Sequence, residues 1–176
     1  MQHERICEHC LSYMLNNELR GWLKCPGCSF MKKELNSMIS LDEVLMGRVK
    51  FEDLPEEIQK NGEDLLIKLN KFRKEYGNPM YVTSGYRSEE DNKRAGGGSK
   101  SAHLTLQACD FADADGKLFE FIKKDPTILE RCDLYMEDAQ FTKSWIHLQN
   151  RPASKRIFLP YGDGRPPTAP HRKIES

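Results

Sequence analysis

SAHLTLQACDFAD, residues 101–113, is the stretch on which the reading of this chain turns. Leu106 to Phe111 reads as an apolar strand, yet it carries Asp110 near its end, and His103 stands seven positions before that aspartate. An ionised carboxylate flanked by Cys109 and Phe111 is an expensive burial unless a cation meets it. Further on, SWIHLQ, residues 144–149, adds His147. Two imidazoles and one carboxylate suit Zn²⁺, and three protein ligands leave the fourth tetrahedral position open to a water that the metal acidifies. His103, Asp110 and His147 therefore predict a catalytic zinc site. Taken singly, each histidine reads equally well as a polar residue satisfied by a backbone carbonyl, and only their combination with Asp110 favours the metal.

The flanking pattern predicts the fold. Asp53-Leu54-Pro55-Glu56-Glu57 has the form of a helix start, with proline early and acids in the first turn. Leu65, Leu69, Phe72 and Tyr76 recur at helical steps, which predicts a helix from about Gly62 to Tyr76 ended by Gly77. Met80 to Thr83 reads as a short strand with a turn at Ser84-Gly85, and Asp113 to Gly116 as another turn. Short helices are expected over Leu118–Lys124 and from Pro126 to Cys132, and Leu134–Glu137 and Trp145–Gln149 alternate like paired strands. The expected class is α+β, a small antiparallel sheet with helices packed on one face. Residues 33–161 would form this domain. Residues 31 to about 60 read mainly as a connecting region, and residues 162–176, rich in proline and glycine, as an irregular tail.

Cys7, Cys10, Cys25 and Cys28 form two C-x-x-C pairs within residues 1–32. Four thiolates close a tetrahedral site, so this unit is expected to be a structural zinc ribbon, giving two zinc ions per chain, one structural and one catalytic. Arg5, Arg20, Lys24, Lys32 and Lys33 are interleaved with Glu4, Glu8, Glu18 and Glu34, which is no concentrated basic patch. Lys plus Arg equals Asp plus Glu at 27 each, so no nucleic-acid partner is expected. No apolar run approaches a membrane span, and MQHERICEHC is charged where a signal peptide is apolar; synthesis in the cytoplasm is expected. Cys109 and Cys132 read as small buried hydrophobes.

Ser84-Gly85-Tyr86-Arg87-Ser88, Asn92, Gly96 to Gly98, Ser101-x-His103, Ala108-x-Asp110 and Trp145-Ile146-His147 occur here in order. Over about Leu41 to Tyr161 the chain resembles the zinc D-Ala-D-Ala carboxypeptidase and L-alanyl-D-glutamate endopeptidase family, which cuts peptidoglycan peptides. The Glu137-Asp138 pair before Trp145 to Gln149, and Arg156-x-Phe158-x-Pro160 after it, are similar to the phage and prophage branch.

The resemblance implies a zinc peptidase acting on peptidoglycan stem or cross-bridge peptides, either at the bacterial cell wall or within a virion. A virion or tail protein is the implied partner of the ribbon. The rival reading is a virion or tail module that keeps the fold and metal without efficient turnover. In much of the family an acid three positions before the second histidine serves catalysis; here that position is Ser144, and the branch points instead to Glu137 first and Asp138 second. Asp138 is expected on the opposite strand face. The resemblance assigns Arg87 and Ser101 to substrate binding, the arginine gripping a carboxylate; a salt bridge to Glu89, Glu90 or Asp91 is its competing role. Leu106 replaces a glycine common in the family, implying a different local backbone or a filled pocket. Tyr86 and Trp145 read as packing residues.

Overall fold

The structure, a computed structural model, describes residues 38–142 and 144–160. The four cysteines Cys7, Cys10, Cys25 and Cys28, the ribbon they were expected to build and the C-terminal tail lie outside the described residues. In chain order the elements are α1 (Leu41–Leu45), a 3-10 turn (Phe51–Asp53), α2 (Glu56–Tyr76), β1 (Val82–Ser84), α3 (Glu89–Arg94) and a second 3-10 turn (Ala102–Thr105). They continue with β2 (Ala108–Ala112), α4 (Lys117–Lys124), α5 (Thr127–Arg131), β3 (Tyr135–Glu137), β4 (Trp145–Gln149) and β5 (Ile157–Phe158).

Inside the region expected to be only a connection, α1 forms because Ser40 closes a capping box with Glu43: the serine hydroxyl accepts the Glu43 N–H, and the Glu43 carboxylate accepts the Ser40 N–H. The Pro55 start and the leucine periodicity belong to one helix, so α2 begins six residues before the Gly62 expected from periodicity. Glu56 and Glu57 favour its positive N-terminal end, and Gly77, at φ 71°, ends it in the left-handed conformation that glycine adopts without penalty. Leu65, Leu66, Leu69 and Phe72 form its buried stripe.

The sheet has five strands in the order β1-β2-β4-β3-β5. Pairs β1–β2, β2–β4 and β3–β4 are antiparallel, but β5 lies parallel to β3. The sheet is thus mixed, a correction to the purely antiparallel expectation. After β4 the chain passes β3 and returns at its outer edge. Alternation divides the two faces. Cys109, Phe111, Met136, Ile146 and Leu148 join the stripe of α2 and residues of α4 and α5 in one buried apolar cluster. Asp110, His147 and Glu137 fall on the other face, together with Ala112 and Trp145.

Leu106 is left-handed, at φ 53°, so the backbone keeps a conformation favoured by glycine although the residue is leucine. The strain, about 1–2 kcal/mol, is offset by the burial of a whole leucine side chain, about 1.5–3 kcal/mol. Its side chain is fully buried against α2, where a Cβ on Gly62 would stand 2.3 Å from Leu106 Cδ2. The filled pocket is therefore real. The strand starts at Ala108, two residues later than expected, because the turn through Leu106 precedes it.

Candidate metal centre

Strand register assembles the centre. Ser84 pairs with Asp110, Asp110 with His147, and Glu137 with Phe158. Tyr135 faces Gln149 and Met136 faces Leu148, so one further step of that register sets Glu137 opposite His147. Ser84, Asp110, His147, Glu137 and Phe158 thus form one transverse row across all five strands. The Phe158 ring meets His147 edge-on at 6.1 Å, as neighbours on one face do.

His103 reaches the row from the adjoining 3-10 turn. One ligand atom from each of His103, Asp110 and His147 lies within 4.8 Å of the others, and all three residues are buried. His103 Nε2 stands 3.3 Å and His147 Nδ1 2.7 Å from Asp110 Oδ1. A tetrahedral zinc with arms of about 2.0–2.1 Å needs edges of roughly 3.3 Å, so the first separation already fits and the second opens by a fraction of an ångström.

The outer nitrogens show that these rings suit a metal. His103 Nδ1 is 2.7 Å from the Gly85 carbonyl, which accepts only if that nitrogen carries the proton, leaving the Nε2 lone pair facing inward. His147 Nε2 lies 3.2 Å from Gln149 Oε1. The Gln149 amide cannot present its nitrogen instead, because that nitrogen donates to the Arg151 carbonyl at 2.6 Å. His147 is thereby held with Nδ1 toward Asp110, to which it donates when the ring is protonated and where its lone pair would face a bound ion.

The Ser-Gly-Tyr-Arg segment is the scaffold for these ligands. Arg87 donates from one terminal nitrogen to Asp110 Oδ2 at 2.9 Å and from Nε to Ser84 Oγ at 2.9 Å, fixing the carboxylate so that Oδ1 turns to the histidines. The partner of Arg87 is therefore Asp110, not Glu89, Glu90 or Asp91. Gly85 is required by proximity: a Cβ there would lie 1.9 Å from the Val44 carbonyl, which accepts the Tyr86 N–H. Ser101 caps the turn that presents His103, its hydroxyl accepting the His103 N–H at 3.4 Å.

Electrostatics follow from this packing. Burial raises the Asp110 carboxyl, but hydrogen bonds and charge from His103 and His147 hold it far below the usual carboxylate range. Burial pushes the His103 imidazole down. It acts on His147 likewise, yet the Asp110 hydrogen bond and the charges of Asp110 and Glu137 carry that imidazole above its ordinary value. Burial, with Asp110 and Asp138 adding to it, raises the Glu137 carboxyl against the pull of His147. No described residue donates a hydrogen bond to the Glu137 carboxylate.

Asp138 is otherwise engaged: its carboxylate accepts the Gln140 N–H at 3.0 Å, within the turn that leads to β4. Ser144 is exposed, and its carbonyl accepts the Asp113 N–H. Trp145, expected to pack, is 38% exposed, in the row next to the ligands, whereas Tyr86 packs against the core. Burial pushes the thiols of both buried cysteines up, Cys132 to about 12 and Cys109 well above its ordinary value, which leaves them inert at neutral pH. Sequence reasoning missed the supporting roles of Ser84, Gly85 and Gln149. For Gln149 the signal was present, since positions two apart on a strand share a face.

A five-stranded α+β fold whose polar sheet face gathers two histidines and an aspartate, tautomers fixed for a divalent ion, defines a metallohydrolase-type centre. A family model for peptidase M15 matches residues 43–149 of the 176, and the chain belongs to that family of zinc-dependent metallopeptidases. No curated protein matches the chain. No helix among the described residues is long and apolar enough to cross a membrane.

Proposed function

We propose that the protein is a zinc peptidase that hydrolyses stem or cross-bridge peptides of bacterial peptidoglycan, with His103, Asp110 and His147 holding the ion. The observation that carries the proposal is the transverse row, which puts a desolvated carboxylate, Glu137, beside the ligands on the strand next to His147. Bound Zn²⁺ supplies Lewis acidity, polarising the scissile carbonyl and acidifying the attacking water.

The chain's own residues supply the rest. Glu137 takes a proton from the attacking water and returns it to the leaving amine, a role suited to a carboxyl raised by burial. Arg87 and Gln149 keep Asp110 and His147 in register throughout. Glu137 replaces the acid that the family commonly places at the Ser144 position. The Arg156-to-Pro160 motif contains β5, whose Phe158 pairs with Glu137. That motif braces the strand carrying the base.

Glu137→Gln tests the assignment against purified peptidoglycan. It is expected to lower kcat by about 10²–10⁴-fold, the usual contribution of a positioned acid–base group, while zinc content stays that of the parent. A variant that keeps full turnover, or a zinc-loaded parent with no turnover, would overturn it. The second outcome favours a virion module that keeps the fold without its chemistry.

A further inference from the structure

Arg151 poses a problem that the centre does not absorb. The guanidiniums of Arg48, Arg73, Arg87, Arg94, Arg131 and Arg156 all have hydrogen-bond partners. Arg151 is the one described arginine whose guanidinium has neither a hydrogen bond nor an ion pair among the described residues, although the residue is half-buried. Burial lowers its pKa and no neighbouring charge acts in the other direction. A partly desolvated cation without a counter-charge costs stability in the free protein and is recovered only when an anion meets it.

Its position is fixed by the centre. The Arg151 carbonyl receives the Gln149 amide that holds His147. Gln149 lies on the metal face; Asn150 turns to the helix side, where its amide donates to Asp64 Oδ2 at 2.7 Å and its backbone N–H continues the ladder to Gln107. Arg151 thus follows β4 by two residues, with its backbone held against the amide that touches the outer nitrogen of His147. The arginine expected to grip a substrate carboxylate, Arg87, is already paired with Asp110.

We infer that Arg151 is the substrate-binding residue that receives a free carboxylate of the peptide, on the side of the centre toward the C-terminal end of β4. The inference rests on the peptidase reading for the nature of the ligand, but not for the anion site itself. A guanidinium offers a forked donor that matches a carboxylate, so a peptide ending in a free acid is favoured over the same peptide as an amide.

Calorimetric titration of the zinc-loaded full chain with N-acetyl-D-alanyl-D-alanine and with its C-terminal amide tests this, in a Glu137→Gln background that prevents turnover. The acid is expected to bind about tenfold or more tightly than the amide, the effect of one charge-assisted contact. Arg151→Gln removes that preference without changing zinc content, and Arg151→Lys, which keeps the charge, retains part of it. A preference that survives Arg151→Gln, or equal binding of acid and amide in the Glu137→Gln parent, overturns the inference. Turnover by the chain with Glu137 intact is assayed separately: an inert chain that still shows the Arg151-dependent preference sinks the peptidase reading alone, and an active chain without the preference sinks this inference alone.

Discussion

Glu137 sits where catalysis and stability pull apart. A base must be ionised to act, yet burial disfavours its ionised form and raises its pKa above 4.5. A carboxyl raised in the folded state contributes stability that is fully present below its unfolded pKa and is lost as pH rises through the folded one. Metal-free Glu137→Gln is therefore expected to melt above the metal-free parent at pH 7, with the gap closing below about pH 4. Thermal unfolding across that range checks it, and a variant less stable than the parent at pH 7 would contradict it. Gln149 makes a separate prediction. Gln149→Leu frees the outer nitrogen of His147 and should weaken zinc binding by about 10–100-fold, read by competition with a chromophoric chelator; unchanged affinity would show that the amide does not orient the ring. The ligand residues were legible in the sequence because an aspartate inside an apolar strand calls for a cation and two histidines stand where they can share it. The pairing of Arg87 with Asp110 was not, since it joins residues 23 apart whose contact exists only once β1 and β2 pair.

At the scale of elements, α2 and the turn through Leu106 specify each other. Glycine within a helix usually costs about 0.5–1 kcal/mol relative to alanine, so Gly62→Ala would ordinarily stabilise α2. Here the added methyl meets Leu106 Cδ2 at 2.3 Å, and overpacking of about 1–3 kcal/mol reverses the sign. Denaturant unfolding should show Gly62→Ala destabilising alone and neutral or stabilising in a Leu106→Ala background; additive effects would deny the contact. The periodicity of Leu65, Leu69 and Phe72 and the start at Pro55 were each readable, but their union in α2 was not, because Gly62 interrupts the pattern where a tertiary contact demands it. The serine and glutamate of α1 were a readable capping box in a segment taken for a connection. With only two residues, β5 has no period to detect, and its parallel pairing with β3 depends on a return of the chain that local sequence does not encode.

Across the whole molecule, one sheet performs two tasks divided by alternation. Its helix-facing side supplies the apolar cluster, and its other side aligns ligands and base along neighbouring strands. Ligands drawn from a 3-10 turn, β2 and β4 mean that the centre exists only in the folded chain, so a bound ion stabilises the native state by mass action. Zinc content of the purified full chain is the most direct test, comparing the parent with His103→Ala and His147→Ala after each has been shown to fold. The account predicts that each variant holds one zinc ion per chain fewer than the parent and has no peptidase activity. Equal zinc content in the parent and both folded variants would contradict it.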